Sequence, residues 1–202
     1  MMKKTLPAMV AIAAVAIFAA FSVAPEVEVG KAVPAFSLKG IDGKTYSIAD
    51  LKGKVVVLEW TNPNCPFVQR VYKSGIMTGV QKKYADKVVW LTVNSTHPEH
   101  SDHETADALA KTYKEWNAAF ATMLLDPDGK VGQMFDAKTT PHMFVIDKEG
   151  KLVYDGGIDD DARGSKSEKT NFVDQALTSL LEGKSIATSI SKPYGCSVKY
   201  SP

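Results

Sequence analysis

The 202-residue chain holds two cysteines, and both stand where thiol chemistry is possible. Cys65 lies in TNPNCPFVQR, directly before Pro66, after the apolar run VVVLEW and at the head of a helical pattern. Pro66 fits the first helical position, where its missing N–H costs nothing. Cys65 is thereby placed at a helix start, where free N–H groups and the positive helix end favour the thiolate, the reactive form. The opposing reading is a buried, inert thiol. Val68 fills the place of the second thiol in a Cys-x-x-Cys pair, and the other cysteine, Cys196, is far away in SKPYGCSVKY. Glu59 interrupts the apolar run six residues before Cys65. A carboxyl group buried there has its pKa raised and can exchange a proton with a thiol; at an exposed strand end it is only a solvated charge. HPEHSDH, residues 97–103, groups His97, His100 and His103 with Glu99 and Asp102. Imidazoles and carboxylates suit zinc or copper. Pro98 keeps His97 off a helix, however, and the spacing matches no closed zinc pattern, so a solvated loop is the simpler reading.

The elements that must position these groups follow from periodicity. FSLKGIDGKTYSIADLKGK reads as a strand, a turn at Asp42-Gly43 and a second short strand. VVVLEW (55–60) and VVWLTVNS (88–95) are near-continuous apolar runs, as expected of strands covered on both faces. From Pro66 to Tyr84 apolar residues recur at helical spacing, with Gly75 as a bend, and ETADALAKTYKEWNAAF (104–120) is a second amphipathic helix. TMLLD is a short strand, and PDGKVGQMF a turn with a short helix. TTPHMFVID (139–147) and KLVYDGG form a hairpin across Lys148-Glu149-Gly150. SEKTNFVDQALTSLLEG (167–183) is a last helix, capped by Ser167 and ended by Gly183. This order predicts an α/β fold: a central, mainly parallel sheet with a terminal antiparallel hairpin and helices on both faces.

That arrangement, with a cysteine after the central strand, TTP before a later strand and DKEGKLVYDGG after it, resembles a thioredoxin-like fold. AVPAFSLKGIDGKTYSIADLKGKVVVLEW is similar to the start of exported thioredoxin-like proteins of the redoxin type, in the superfamily of alkyl hydroperoxide reductases and thiol-specific antioxidant proteins. CPFV together with GCSVK is similar to a subgroup carrying Cys-Pro-Phe/Tyr-Val and a terminal Gly-Cys-Ser-Ile/Val-Lys. The resemblance implies thiol–disulfide exchange without a cofactor, with Cys65 as nucleophile. It also implies Glu59 as acid/base, at the position of thioredoxin's buried Asp, and Thr140-Pro141 as a cis-proline loop. Thr140, Pro141, Asn64 and Pro66 would then meet the substrate. The implied partners are protein or small-molecule thiols and disulfides, with an external electron donor.

The chain departs from both branches it resembles. Val68 removes the local disulfide of thioredoxins. Leu58 and Asn62 replace the proline and hydroxyl of the peroxiredoxin pattern Pro-x-x-x-Thr/Ser-x-x-Cys, which weakens peroxidase activity, and Thr61 is one residue out of place. The tail after the last helix is small and polar, with a reach of up to about 3.3–3.6 Å per residue. Cys196 is therefore expected to resolve Cys65, the alternative being a permanent structural bridge. Thiol peroxidase and a non-enzymatic metal-binding or structural module, copper delivery included, are the competing functions.

MMKKTLPAMVAIAAVAIFAAFSVAPE opens with two lysines before 14 apolar residues, Ala8 to Phe21, and then small residues. That is the layout of a secretory signal; left uncleaved, it would be an anchor barely long enough to span a membrane. The expected organisation is a signal peptide or anchor over 1–24, a thioredoxin-like domain over 25–183 and a tail over 184–202 carrying Cys196. Either way the body lies in the periplasm or at the extracytoplasmic face of the membrane, touching it only through an uncleaved N-terminal segment. Two cysteines are too few to staple such a body, so a hydrophobic core must hold it. Removing Lys3 and Lys4 from the 24 basic side chains leaves 22 against 23 acids, a net of −1 that argues against a nucleic-acid partner.

Overall fold

This computed structural model describes residues 27–202, so the expected signal segment lies outside the described residues. In chain order they form β1 (Ser37–Gly40), β2 (Thr45–Ser47), β3 (Val55–Trp60), α1 (Pro66–Lys73), α2 (Ile76–Lys83), β4 (Val88–Asn94), α3 (Ala106–Glu115) and β5 (Thr122–Leu125). There follow α4 (Lys130–Met134), β6 (Thr139–Thr140), β7 (His142–Ile146), β8 (Leu152–Gly156), α5 (Phe172–Leu181) and β9 (Cys196–Ser197). A seven-stranded sheet runs in the order β2-β1-β5-β4-β3-β7-β8, and β6 and β9 make a separate two-stranded ladder. Among the described residues no helix is long and apolar enough to cross a membrane.

The central strand shows why two cores form. Every residue of β3 is buried, and successive side chains of a strand point to opposite faces. Val55 and Val57 enter one core with Val71, Tyr72 and Met77 of the first two helices, Leu109 of α3 and Leu177 of α5. Val56, Leu58 and Trp60 enter the other, with Phe135, Phe144 and Leu124. Glu59 falls on the first face, beneath α1 and α2.

The thioredoxin-like α/β fold is present, with a mixed sheet. Only β3, β4 and β5 pair in parallel; β3–β7, β7–β8, β1–β5 and β1–β2 are antiparallel. The sheet is thus less parallel than the helix–strand alternation predicts, because β1 and β2 add antiparallel at one edge and the expected β7–β8 hairpin at the other. The helix expected over 66–84 is interrupted at Ser74-Gly75, giving α1 and α2. The cap of the last helix is Asn171, whose side chain accepts from the Asp174 N–H, not Ser167. The segment before it winds around acidic side chains instead: Asp161 accepts from the N–H groups of Ser165 and Lys166, and Asp160 from that of Thr170.

Candidate active site

The local sequence of Cys65 builds a helix start. Asn62 turns the chain out of β3 by accepting from the Asn64 N–H at 2.7 Å and donating through Nδ2 to Thr96 Oγ1 at 3.0 Å. Cys65 is the N-cap of α1 and Pro66 the first helical residue. The Thr140–Pro141 bond is cis. In its thiol form Cys65 donates to the Thr140 carbonyl at 2.9 Å. Burial alone would raise its pKa, but the Cys196 thiol, the Thr140 hydroxyl and the N–H groups of Val68 and Cys196 all donate to the thiolate and bring it below the usual cysteine value. The Thr140 hydroxyl is otherwise buried without a partner.

Backbone pairing delivers the second thiol. Thr140 lies opposite Cys196 and Thr139 opposite Ser197 in the antiparallel β6–β9 ladder. The two Sγ atoms come to 2.9 Å although 131 positions separate them in the chain, and both are free thiols. Closing the disulfide requires an approach of roughly 0.9 Å to reach the usual S–S length. Gly195, at φ +148°, makes the close approach possible, because any side chain there would overlap the Thr140 carbonyl. Burial first, then the hydrogen bond and charge of Cys65, push the Cys196 thiol up to about 12. The surroundings thus favour the thiolate at Cys65 and the thiol at Cys196.

Glu59 is fully buried within a hydrogen-bonded set. Tyr72 donates to its Oε1 at 2.8 Å; Trp90 Nε1 and Gln81 Nε2 donate to its Oε2 at 2.9 and 3.2 Å. Burial raises its pKa to about 7, against the lowering effect of Trp90, Tyr72, Gln81 and Thr61. Thr61 also shares a 2.5 Å hydrogen bond with Tyr113 OH, and Tyr113 lies within the electrostatic reach of both Glu59 and Cys65. Thr61 and Tyr113 thus lie between the setting of the carboxyl group and the field of the Cys65 thiol.

Comparison with known proteins gives the family. Residues 29–155 match the model of the AhpC/TSA family. The chain belongs to the AhpC/TSA family. It is similar to the thioredoxin-like protein YneN of Bacillus subtilis, 30% identical over 126 residues that cover 62% of this chain and 69% of that protein. It is also similar to the thiol-disulfide oxidoreductase ResA of Bacillus cereus, 26% identical over 66% of this chain and 72% of ResA. Among solved structures, an uncharacterized conserved protein from Geobacillus kaustophilus superposes with a TM-score of 0.77 at 27% identity, over 90% of this chain and 95% of that one.

Against its family's peroxidase pattern, this member has both polar groups before Cys65 committed elsewhere: Asn62 to the turn and Thr61 to Tyr113. Asn64 Nδ2 donates to the Asp102 carbonyl at 3.3 Å and to Glu104 Oε1 at 3.4 Å, fastening the histidine segment beside the site. His97 Nδ1 accepts from the Glu99 N–H and His100 Nδ1 from the Asp102 N–H. The imidazoles hold the loop, and among the described residues no group of three or more His, Cys, Asp or Glu is placed to hold a metal ion. Tyr113, Tyr194 and Tyr200 are participants that the sequence pattern leaves unseen. The first sits at helical spacing like any core aromatic, and the other two lie in a tail without periodicity.

Proposed function

We propose that the protein is an exported thiol–disulfide oxidoreductase of thioredoxin-like type, with Cys65 as nucleophile and Cys196 as resolving thiol. The 2.9 Å separation of their Sγ atoms carries this reading. Relatives named as thiol-disulfide oxidoreductases support it, and the signal-like start of the sequence supports export. The pairing of CPFV with GCSVK, similar to a subgroup with a distal second cysteine, supports the same reading.

In the reduced protein the Cys65 thiolate attacks one sulfur of a substrate disulfide, whose S–S bond breaks to expel the other sulfur as thiolate and leave a mixed disulfide. The Cys196 thiol, giving up its proton, then attacks Cys65 Sγ, releases the second substrate thiolate and closes the Cys65–Cys196 bond. Glu59 takes up or returns a proton during these steps. Asn64 and Pro66 are exposed beside Cys65 and would meet the substrate directly, whereas Thr140 and Pro141 are buried under the tail and would act through the Thr140 carbonyl that Cys65 reaches. An external thiol restores the reduced state. Redox titration of the mature protein with thiol counting tests the reading: two thiols should disappear together as one two-electron couple. Two independent thiols would overturn it.

A further inference from the structure

We propose that an incoming donor thiol attacks the oxidised protein at Cys196 rather than Cys65, so that electrons arrive through the tail. This rests on the reading of Cys65 and Cys196 as a redox pair. Cys65 is only 2% exposed. Val68 of α1 lies on one side of it, the Thr140 carbonyl on another and Cys196 over it. Cys196 is half-buried. Once the disulfide has closed, Cys196 can no longer turn aside, and an attacking sulfur could reach Cys65 only if residues 194–197 lifted.

The tail is fastened on both sides of Cys196. Before it, the Asp155 N–H donates to the Ser189 carbonyl and the Asp155 carbonyl accepts from the Ser191 N–H, each at 3.0 Å. Arg70 Nη2 donates to Tyr194 OH at 2.7 Å, and Tyr194 OH donates to the buried Asp159 at 2.5 Å. After it, the Val198 N–H donates to the Lys138 carbonyl at 3.2 Å and the His97 N–H to the Lys199 carbonyl at 2.7 Å. Tyr200 closes the strap, donating to the Ala137 carbonyl at 2.7 Å, with its ring packed so closely on α4 that a side chain at Gly132 would collide with it. In the oxidised protein a strap anchored this way keeps Cys65 covered and leaves Cys196 as the sulfur in reach, whereas in the reduced protein the free Cys196 side chain can turn aside and open Cys65 to a substrate disulfide.

The chemistry points the same way. Attack on Cys196 expels Cys65, whose helix start and hydrogen bonds favour the thiolate, and the thiol of lower pKa is the better leaving group. The donor thiolate bonds to Cys196 Sγ, the Sγ–Sγ bond breaks, and Cys65 leaves as thiolate. A second donor thiolate then attacks the donor's sulfur in the mixed disulfide and releases Cys196, which takes a proton from solvent. Two donor thiolates become one disulfide, and the pair gains two electrons. The charges of Lys199 and Asp102 act on Cys196, and the histidine segment that carries Asp102 is fastened to the tail next to it by the His97 N–H, which donates to the Lys199 carbonyl. The fitting donor is a small thiol, or a protein thiol that projects over this rim.

The test mixes the oxidised protein with equimolar reduced glutathione, quenches with acid over a time series and maps the adducts by mass spectrometry. At the earliest times glutathione should occupy the Cys196 peptide in roughly tenfold excess over the Cys65 peptide. First appearance on Cys65 overturns the proposal. In a Tyr194→Phe/Tyr200→Ala double variant both fastenings are weakened, and the early adduct should shift toward Cys65; an unchanged distribution would show that the strap does not guard Cys65 and would also overturn it. If the oxidised starting material contains no Cys65–Cys196 disulfide, the redox-pair reading itself fails, an outcome seen before glutathione is added.

Discussion

Cys196 lies directly opposite Thr140 in an antiparallel ladder, so the strand that ends at cis-Pro141 carries the second thiol onto the first. Mild oxidation should therefore yield a single intramolecular Cys65–Cys196 disulfide. Cys65→Ser should abolish thiol–disulfide exchange, while Cys196→Ser should accumulate adducts on Cys65. A structural bridge would behave differently, with a potential below about −300 mV and a loss of roughly 2–5 kcal/mol in either variant. The redox-pair reading predicts melting curves for both variants close to that of the reduced wild type. Peptide mapping and thermal melts distinguish the two.

Gly195 permits that delivery by its close approach to Thr140. In Gly195→Ala the new methyl group would overlap the Thr140 carbonyl at a backbone angle that disfavours any side chain. The strain, of order 1–3 kcal/mol, falls on the tail and not on either core. The body should melt nearly unchanged while the Cys65–Cys196 disulfide becomes about ten- to a hundredfold less favoured in a glutathione redox buffer, at 1.4 kcal/mol per factor of ten. An unaltered redox equilibrium would show that the close approach is not needed for pairing.

How much of this could be read in the sequence depends on what each residue's placement rests on. The strand VVVLEW and the helix start at Cys65-Pro66 depend on local periodicity and on proline chemistry, and they are legible; the burial of Glu59, which the sequence leaves open against a solvated strand end, is decided by the helices packed over it. The fourfold antiparallel pairing around the parallel core is less so, because strand direction at the edges is decided by partners distant in sequence. The tail is least legible. Its strand has two residues and no period, and its path is set by a close approach at Gly195 and by the seats of Tyr194 and Tyr200, all long-range packing. Ser167 looks like a cap by type, yet the turns around Asp160 and Asp161 consume that segment and leave the role to Asn171.

The two thiols should titrate far apart. Ultraviolet thiolate absorbance of the reduced protein should show one group ionising below the ordinary cysteine range, assigned to Cys65 by its loss in Cys65→Ser, and no second group until strongly alkaline pH, since Cys196 is pushed up to about 12. Removing the Cys196 thiol in Cys196→Ala takes away the strongest of the hydrogen bonds that lower Cys65, and its titration should move upward. A Cys65 titration unmoved by that change would contradict the pairing seen here.

The histidine segment should not bind metal tightly. With His97 and His100 Nδ1 both accepting from backbone N–H groups, chelation would dismantle the loop that borders the tail. Calorimetry with zinc and with copper on the reduced wild type and on a His97/His100/His103 triple alanine variant should give no submicromolar site that depends on these residues. Tight binding lost in the triple variant would revive the metal-binding module.

Glu59 offers a prediction in which activity and stability move oppositely with pH. Its folded pKa is raised from 4.5 to about 7, so the folded state holds a proton that the unfolded chain releases. The stability that this proton supplies is complete below pH 4.5 and is lost as pH rises through about 7, a change on the order of 3 kcal/mol at 1.36 kcal/mol per pH unit. Glu59→Gln keeps a neutral, hydrogen-bonding side chain and cannot titrate, so denaturant melts of this variant should lack that decline and it should match or exceed the wild type above pH 7. Its thiol exchange, by contrast, should be slower near neutrality, where the wild-type carboxyl group can both accept and return a proton, by something like the 10²-fold typical of a lost acid/base. If exchange rates from pH 6 to 9 coincide while the stability difference appears, Glu59 is a buried acid of the core and not part of the proton path; if neither differs, the carboxyl group is not buried as the network around Tyr72, Gln81 and Trp90 requires.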